Sequence, residues 1–400
     1  MNGQLGNGDF EEAILSLIKR VEPLQYSKIS RSEEESIILK FKECEQSGEM
    51  EYGLFDVLKS DLPDFLRPYY FVDAEVRFPG GSTFKPALKP TRGSGVGDHV
   101  LSASCHALGE ALERHLGFLG GTKDARPSKS AVFSLAKKDW VDLGFDPFDS
   151  NPASNPFFSP DGLACHPRLE EAFRNAMGEL LERNFIATVD CKQPWLNVTE
   201  SLISKDGHAK ASQAYWENLG YSFAVYVALH PLGGFVSVAT VVRLAETFAG
   251  QNSHDGTESQ YGASFRGSAA DFALDYAPMQ AISELNRSAH FGPYLRIHSD
   301  LEARQAQSAL SKEDYYYGYL ERLMQVDWLH TLAASNSPIA SLPELRLAHS
   351  ASPRVVIGNL VDRFGDVFVI PYANPASSGM YGVKFAVPGC NTSAVSRIDV

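Results

Sequence analysis

Between residues 10 and 60 acidic and apolar positions recur at helical spacing, and Ser32 followed by Glu35 has the form of a capping box ahead of IILKFKECEQ. Residues 1–65 are therefore expected to be a helical N-terminal extension, followed by one domain over 66–400. The run SEEES reads as a helix start turned to water, where acidic side chains complement the helix dipole. From about residue 66 the texture changes. YYFVDAEVRF reads as a strand, the stretch GGSTFKPALKPTRGSGVG as a break in regular structure, and a helix is expected from near Leu101. Residues 122–160 concentrate Pro, Asp, Asn and Ser, with NPASNPFFSPDG the clearest loop, and they separate two helices that resemble each other. YSFAVYVAL and GGFVSVATVVRL have the β-branched and aromatic content of strands. GQNSHDGTESQYG is a polar loop, and a third helix is expected over 270–291. The last third brings helices around 312–333, then VVIGNL, DVFVIPYA and YGVKFAVPG as strands. The expected fold class is α+β (mixed α/β).

Composition narrows what such a chain can do. Hydrophobic residues at 44% and charged residues at 21% are ordinary for a globular protein and leave no room for a dominant disordered segment. A net charge of -13 argues against nonspecific nucleic-acid or anionic-membrane binding, which both need a basic surface. The five cysteines are scattered without a CxxC pair, so neither a zinc ribbon nor a disulfide framework is suggested. The start of the chain lacks the basic-then-apolar order of an export signal, and no apolar run reaches the roughly 18 residues of a membrane span. A cytoplasmic, unexported protein is expected.

The most informative feature is an internal echo. Ala107-Leu-Gly-Glu-Ala-Leu-Glu-Arg114 and Ala176-Met-Gly-Glu-Leu-Leu-Glu-Arg183 agree at six of eight positions, each after a glycine-containing loop. Each copy sets two glutamates one turn apart on a helix: Glu110 with Glu113, and Glu179 with Glu182. Exposed carboxylates at that spacing repel by a few tenths of a kcal/mol, and burial raises the cost. A hard divalent cation reverses the sign, because Mg²⁺ takes oxygen ligands shared between carboxylates and substrate phosphates. The arginine that follows each pair then has an anion to meet with its planar fork. The bland alternative is that each ExxER is the solvated side of an amphipathic helix. A third helix, AISELNRSAH, carries Glu284 and Arg287 and weakens that alternative.

Other chemistry is thinner. Lys85, Lys89 and Arg92 flank the first glycine loop and read as solvated turn residues. His99, His106 and His115 show no ligand spacing and read as loop or packing residues, and Cys105 and Cys165 as small apolar fillers. GxxxxGK[ST] and GxSxG are both absent, which argues against a P-loop and a serine hydrolase.

SCHALGEALER, Ser104 to Arg114, resembles the SxxxxxExxER signature of the YcaO superfamily. DGLACHPRLEEAFRNAMGELLERN is similar to the family's second glutamate-bearing segment, GSAADFALDYAPMQAISELNR to its later helix, and YGVKFAVPG to its closing strand and turn, so that the likeness spans about residues 66–390. The resemblance implies a fold with glutamate-bearing helices packed on mixed β-sheets around an ATP site. It implies that Ser104, Glu110, Glu113, Arg114, Glu171, Glu179, Glu182, Arg183, Glu284 and Arg287 bind ATP and Mg²⁺. Glu110, Glu113, Glu179 and Glu182 would hold the metal, and Glu113, Glu182 and Arg183 would act in catalysis. Arg287 stands where the family is expected to carry glutamine, and the chain ends NTSAVSRIDV rather than in a proline-rich tail. The implied activity is that of an azoline-forming cyclodehydratase: ATP-dependent activation of backbone amides in a ribosomally made precursor peptide, converting Cys, Ser or Thr to thiazoline or oxazoline. Thioamide or amidine formation, and a non-catalytic scaffold of a peptide-modifying synthetase, are the alternatives. Implied partners are the precursor peptide, a leader-peptide-binding protein (ThiF-like or similar), a flavin-dependent azoline dehydrogenase, and a second copy of the chain within a complex.

Overall fold

A computed structural model describes residues 7–20, 29–56, 69–77, 91–119, 131–144, 161–188, 195–218, 220–243, 264–287, 338–349, 351–372 and 379–390. The chain forms two compact units, residues 1–184 with 351–393, and residues 185–350 with 394–400.

The first unit begins with α1 (Asn7–Lys19) and α2 (Arg31–Gln46). α1 is fixed by Phe10, which packs on Trp140 and Phe173, and by Glu11, which accepts the Trp140 indole N–H. The capping box of α2 is Ser30 with Glu33, two residues before the expected Ser32 and Glu35. Ser30 is extended and hence free to turn its hydroxyl to the Glu33 N–H, and Arg168 grips the Glu33 carboxylate at 2.7 Å and locks that register. The expectation of a solvated SEEES run fails at Glu34, which is buried with its carboxylate 3.2 Å from His99 Nε2.

The stretch expected to be helical also holds a strand, β1 (Glu51–Asp56), which pairs antiparallel with β2 (Tyr70–Arg77). β2 in turn pairs with β3 (Thr91–Gly97), so RGSGVG is a strand and not the expected break. Its glycines alternate because α3 (Val100–Leu119) lies against it: a Cβ on Gly93, Gly95 or Gly97 would come within 3.0 Å of the α3 backbone. The sequence 122–160, expected to be loop, contains the hairpin β4 (Ala131–Ser134) and β5 (Asp139–Asp142). The loop expected at DGLACH contains β6 (Leu163–His166), ahead of α4 (Leu169–Thr188).

The second unit carries β7 (Leu196–Asn197), α5 (Thr199–Ile203), α6 (Gly207–Asn218), β8 (Tyr221–Leu229), β9 (Phe235–Arg243) and β10 (Ser264–Asp271). A helix α7 over 276–287 and α8 (Leu342–His349) complete it. Its sheet runs in the order β10-β9-β8-β7 and closes over Trp216, Phe223, Val225, Val241, Ile282 and Leu285. The third helix therefore starts later than residue 270, which is still in β10. The expected loop GQNSHDGTESQYG and the helices around 312–333 lie outside the described residues.

The chain returns to the first unit with α9 (Pro353–Phe364), β11 (Phe368–Tyr372) and β12 (Tyr381–Ala386). VVIGNL, expected as a strand, is the middle of α9. Ser352 caps it through the Val355 N–H, Pro353 opens it, and the buried Val356, Ile357 and Leu360 form a helical stripe. β11 and β12 complete a sheet ordered β5-β4-β11-β12-β6, antiparallel throughout. Among the described residues no helix is long and apolar enough to cross a membrane.

Candidate active site

α3 and α4 present the two ExxER sets within the first unit, and β6 approaches α3 at Gly109, whose missing side chain leaves the Cys165 carbonyl 3.6 Å from a Cβ position. The glutamates are held differently. Glu110 is fixed by backbone and arginine: one carboxylate oxygen accepts the Ser94 N–H at 2.8 Å and the other accepts Arg114 Nη2 at 2.6 Å. Arg114 donates its second amine to the Arg92 carbonyl at 2.9 Å, so the guanidinium is oriented from both ends. Asp73, cross-strand from Ser94, adds another acid beside Glu110; burial, then Glu110, push its carboxyl above the usual range.

Glu113, one turn on, accepts the Cys165 backbone N–H, yet burial and the Glu110 charge push its pKa up to about 8, against the pull of Arg114 and Arg183. Glu179 is displaced in the same direction, well above the usual carboxylate range, by burial first and then by the Glu113 charge. Those two residues come from different helices, so the two echo copies meet. Arg183 is the hub of the α4 side, with guanidinium nitrogens 3.6 Å from Glu182, 3.7 Å from Glu179 and 3.8 Å from Asp161. These separations exceed hydrogen-bond length.

Ser104 is buried within α3, and helical geometry sets it about 120° round the helix from Glu110. Glu171 is buried on α4 two turns before Glu179 and is tied to the buried Arg174 at 3.1 Å. Glu284 and Arg287 stand on α7 of the second unit, where the Ser268 N–H donates to Glu284 at 3.2 Å. Sequence reasoning missed Asp73, Asp161 and Lys384. Lys384 is buried on β12, where burial lowers its pKa to about 8 against the opposing pull of Asp161 and Glu179. A single charge inside the apolar strand YGVKFAV was the signal that could have found it.

Clustered carboxylates whose ionisation the fold opposes are what a divalent cation would relieve, and their hard oxygen donors are the type Mg²⁺ takes. Among the described residues no group of three or more His, Cys, Asp or Glu side chains forms a ready-made metal cage.

The family model described as YcaO cyclodehydratase, ATP- and Mg²⁺-binding, matches residues 134–391, more than half of the chain. The chain belongs to the YcaO family. ATP and Mg²⁺ are accordingly its cofactors, and the α+β class expected from the sequence is that of the YcaO-type fold. The match starts after α3, so of the two echo copies it takes in only the one on α4.

Solved structures similar to this YcaO chain include a heterocyclase in complex with substrate and cofactor, with TM-score 0.56 and 16% identity over 92% of this chain and 54% of that one. Another is YcaO from Methanopyrus kandleri bound with AMPPCP and Mg²⁺, with TM-score 0.54 and 14% identity over 91% of this chain and 92% of that one. A third is in the E. coli microcin synthetase McbBCD complex with pro-MccB17 bound, with TM-score 0.54 and 13% identity over 84% of this chain and 87% of that one. At these identities the shared property is the fold. The chain spans about half the length of the heterocyclase, and no curated protein matches it.

Proposed function

We propose that this YcaO protein is an ATP-dependent peptide cyclodehydratase, converting Cys, Ser or Thr of a ribosomally made precursor to thiazoline or oxazoline. The observation that carries the reading is the meeting of Glu113 and Glu179, carboxylates from separate helices whose ionisation burial opposes, the Glu113 charge adding to the rise at Glu179. Glu110, Glu113, Glu179 and Glu182 would hold Mg²⁺, with Arg114 and Arg183 facing phosphate. Bound Mg²⁺·ATP supplies the phosphoryl group that turns an amide oxygen into a leaving group.

In the proposed reaction, the substrate's own thiol or hydroxyl would give up its proton to solvent as it attacks the preceding carbonyl carbon, and the oxyanion so formed would be phosphorylated at the expense of the bound nucleotide. Loss of the amide proton and departure of phosphate then leave the C=N bond of the azoline. The chain need supply no nucleophile. Its residues orient and neutralise: Arg183, already shared among three carboxylates, is positioned to shift toward phosphate, and Glu110, held by the Ser94 N–H, keeps a fixed direction. Ser104 and Glu171 would support the nucleotide site, and the resemblance assigns Glu284 and Arg287 of α7 to nucleotide binding as well. A leader-peptide-binding protein, ThiF-like or similar, would present the precursor, and a flavin-dependent dehydrogenase would act on the azoline afterwards. The heterocyclase solved with its substrate and the microcin synthetase solved with its pro-peptide support the choice of substrate class.

The test is co-production with the candidate precursor and partner, followed by weighing the peptide. Loss of one water per modified site is expected, together with release of ADP and phosphate. Exchange of oxygen for sulfur would replace the reading with thioamidation, and absence of nucleotide turnover with all components present would replace it with a scaffold role.

A further inference from the structure

Lys384 stands on β12 between Leu163 of β6 and Ile370 of β11, its register partners, and both of those side chains are completely buried. Its neighbours along the strand, Val383 and Phe385, are buried too, and Lys384 itself is 4% exposed. Packing alone asks for an unbranched apolar residue here. An ammonium in such a place costs several kcal/mol before any pairing is counted, and buried charges often lose to apolar residues of the same size. A reason for the charge must come from what faces it.

Asp161 and Glu179 face it. The local geometry brings the three segments together: the Phe385 N–H donates to the Gly162 carbonyl at 2.8 Å, and a Cβ on Gly162 would touch Leu180 at 3.4 Å. Asp161 and Glu179 are also two of the three carboxylates around Arg183. Glu113, Asp161, Glu179 and Glu182 thus share this side of the site with two fixed cations, Arg183 and Lys384.

We infer that the Lys384 ammonium is a built-in cation of the metal site, holding beside Asp161 and Glu179 the place that a further divalent ion would otherwise take and so limiting how many ions the carboxylates admit. A strand-borne ammonium is attached to the chain, whereas a free ion would have to be bound from solution. Lys384 is thereby a positioning residue: it keeps Asp161 and Glu179 drawn together before nucleotide and metal arrive. The inference rests on the reading of these carboxylates as ligands of a divalent ion.

The test counts Mn²⁺ bound per chain by electron paramagnetic resonance, on the full-length protein with a non-hydrolysable ATP analogue, and follows thermal unfolding in EDTA and in saturating Mn²⁺. Lys384→Met should bind one more Mn²⁺ per chain than the wild type, should be less stable in EDTA, and should recover more on adding Mn²⁺. Lys384→Arg should keep the wild-type count. Equal counts in Lys384→Met and wild type, or a Lys384→Met chain that stays unfolded at saturating Mn²⁺, would overturn the inference while leaving the metal site standing. A wild type that binds no Mn²⁺ would sink the underlying reading itself.

Discussion

Glu113→Gln isolates the electrostatic cost at the centre of the site, because glutamine keeps the volume and the acceptor for the Cys165 N–H while removing the ionisable proton. Burial and the Glu110 charge raise the Glu113 pKa from 4.5 to about 8. An acid displaced upward on folding binds its proton more tightly in the native state than in the unfolded chain. Its contribution is therefore intact below the unfolded pKa and is lost as pH rises through the folded one. A rise from 4.5 to about 8, at about 1.4 kcal/mol per pH unit, sets a ceiling near 5 kcal/mol, which solvent at the part-exposed edge of Glu113 reduces to a few. Scanning calorimetry in EDTA should find wild type and Glu113→Gln alike at pH 5, with the wild type falling behind by up to that amount at pH 9. Adding Mg²⁺ with AMPPCP should reverse the order, since the metal stabilises the ionised carboxylate and gains less from the amide. A constant gap between the two proteins at every pH, unchanged by metal, would refute the argument and make Glu113 a packing residue.

Three further outcomes follow from other parts of the first unit. Gly93→Ala would drive a Cβ into the backbone of α3 at Ala107 and Ala111, a clash that cannot relax by side-chain rotation. The loss should exceed about 3 kcal/mol, read as a collapse of the melting temperature or of soluble yield. Gly109→Ala should be tolerated, because its Cβ would meet the Cys165 carbonyl at an ordinary 3.6 Å. On the acid side, burial lowers the His115 pKa from 6.5 to about 4. Such a group gives its full contribution above the unfolded pKa and loses it as pH falls through the folded one. The wild type should surrender about 3 kcal/mol between pH 6.5 and 4 on this account, and a His115→Gln variant should show a shallower fall over the same range in thermal denaturation.

The carboxylate repeat was legible because helical chemistry is local. ExxER fixes its own geometry once the helix forms, and both helices formed where the echo placed them. The misreadings came from tertiary packing overriding local propensity. RGSGVG has the composition of a loop, yet a strand pressed against a helix needs glycine at every second residue for the opposite reason: it has no space for anything else. VVIGNL has the β-branched content of a strand, but Ser352 and Pro353 start a helix whose branched residues pack inward. Asp161 and Lys384 were illegible as a pair because 222 residues lie between them and it is the β6–β12 pairing that brings their segments together. Asp73 was hidden in the same way, since only the pairing of β2 with β3 sets it opposite Ser94.

Two repeats run through the chain, and they do not coincide. ExxER links α3 with α4 and is a repeat of chemistry. Arg92-Gly93-Ser94 and Arg266-Gly267-Ser268 link α3 with α7 and are a repeat of architecture. In each, the glycine lets a strand lie on a helix closer than any side chain permits, and the following serine N–H reaches a glutamate 16 residues on, Glu110 in one unit and Glu284 in the other. A carboxylate oriented by a backbone amide is fixed by the fold itself and loses little freedom when it takes a ligand, unlike one held by a long side chain. The serine reaches the glutamate through its backbone N–H, and the Ser94 side chain also hydrogen-bonds Asp73. The second copy of the device places at +3 an arginine, Arg287, where the first places Glu113, so the same scaffold offers a cation at one glutamate and a second anion at the other. That difference gives the two copies distinct electrostatics: Glu110 has a second acid, Glu113, one turn on, whereas Glu284 has a cation, Arg287, at the same spacing.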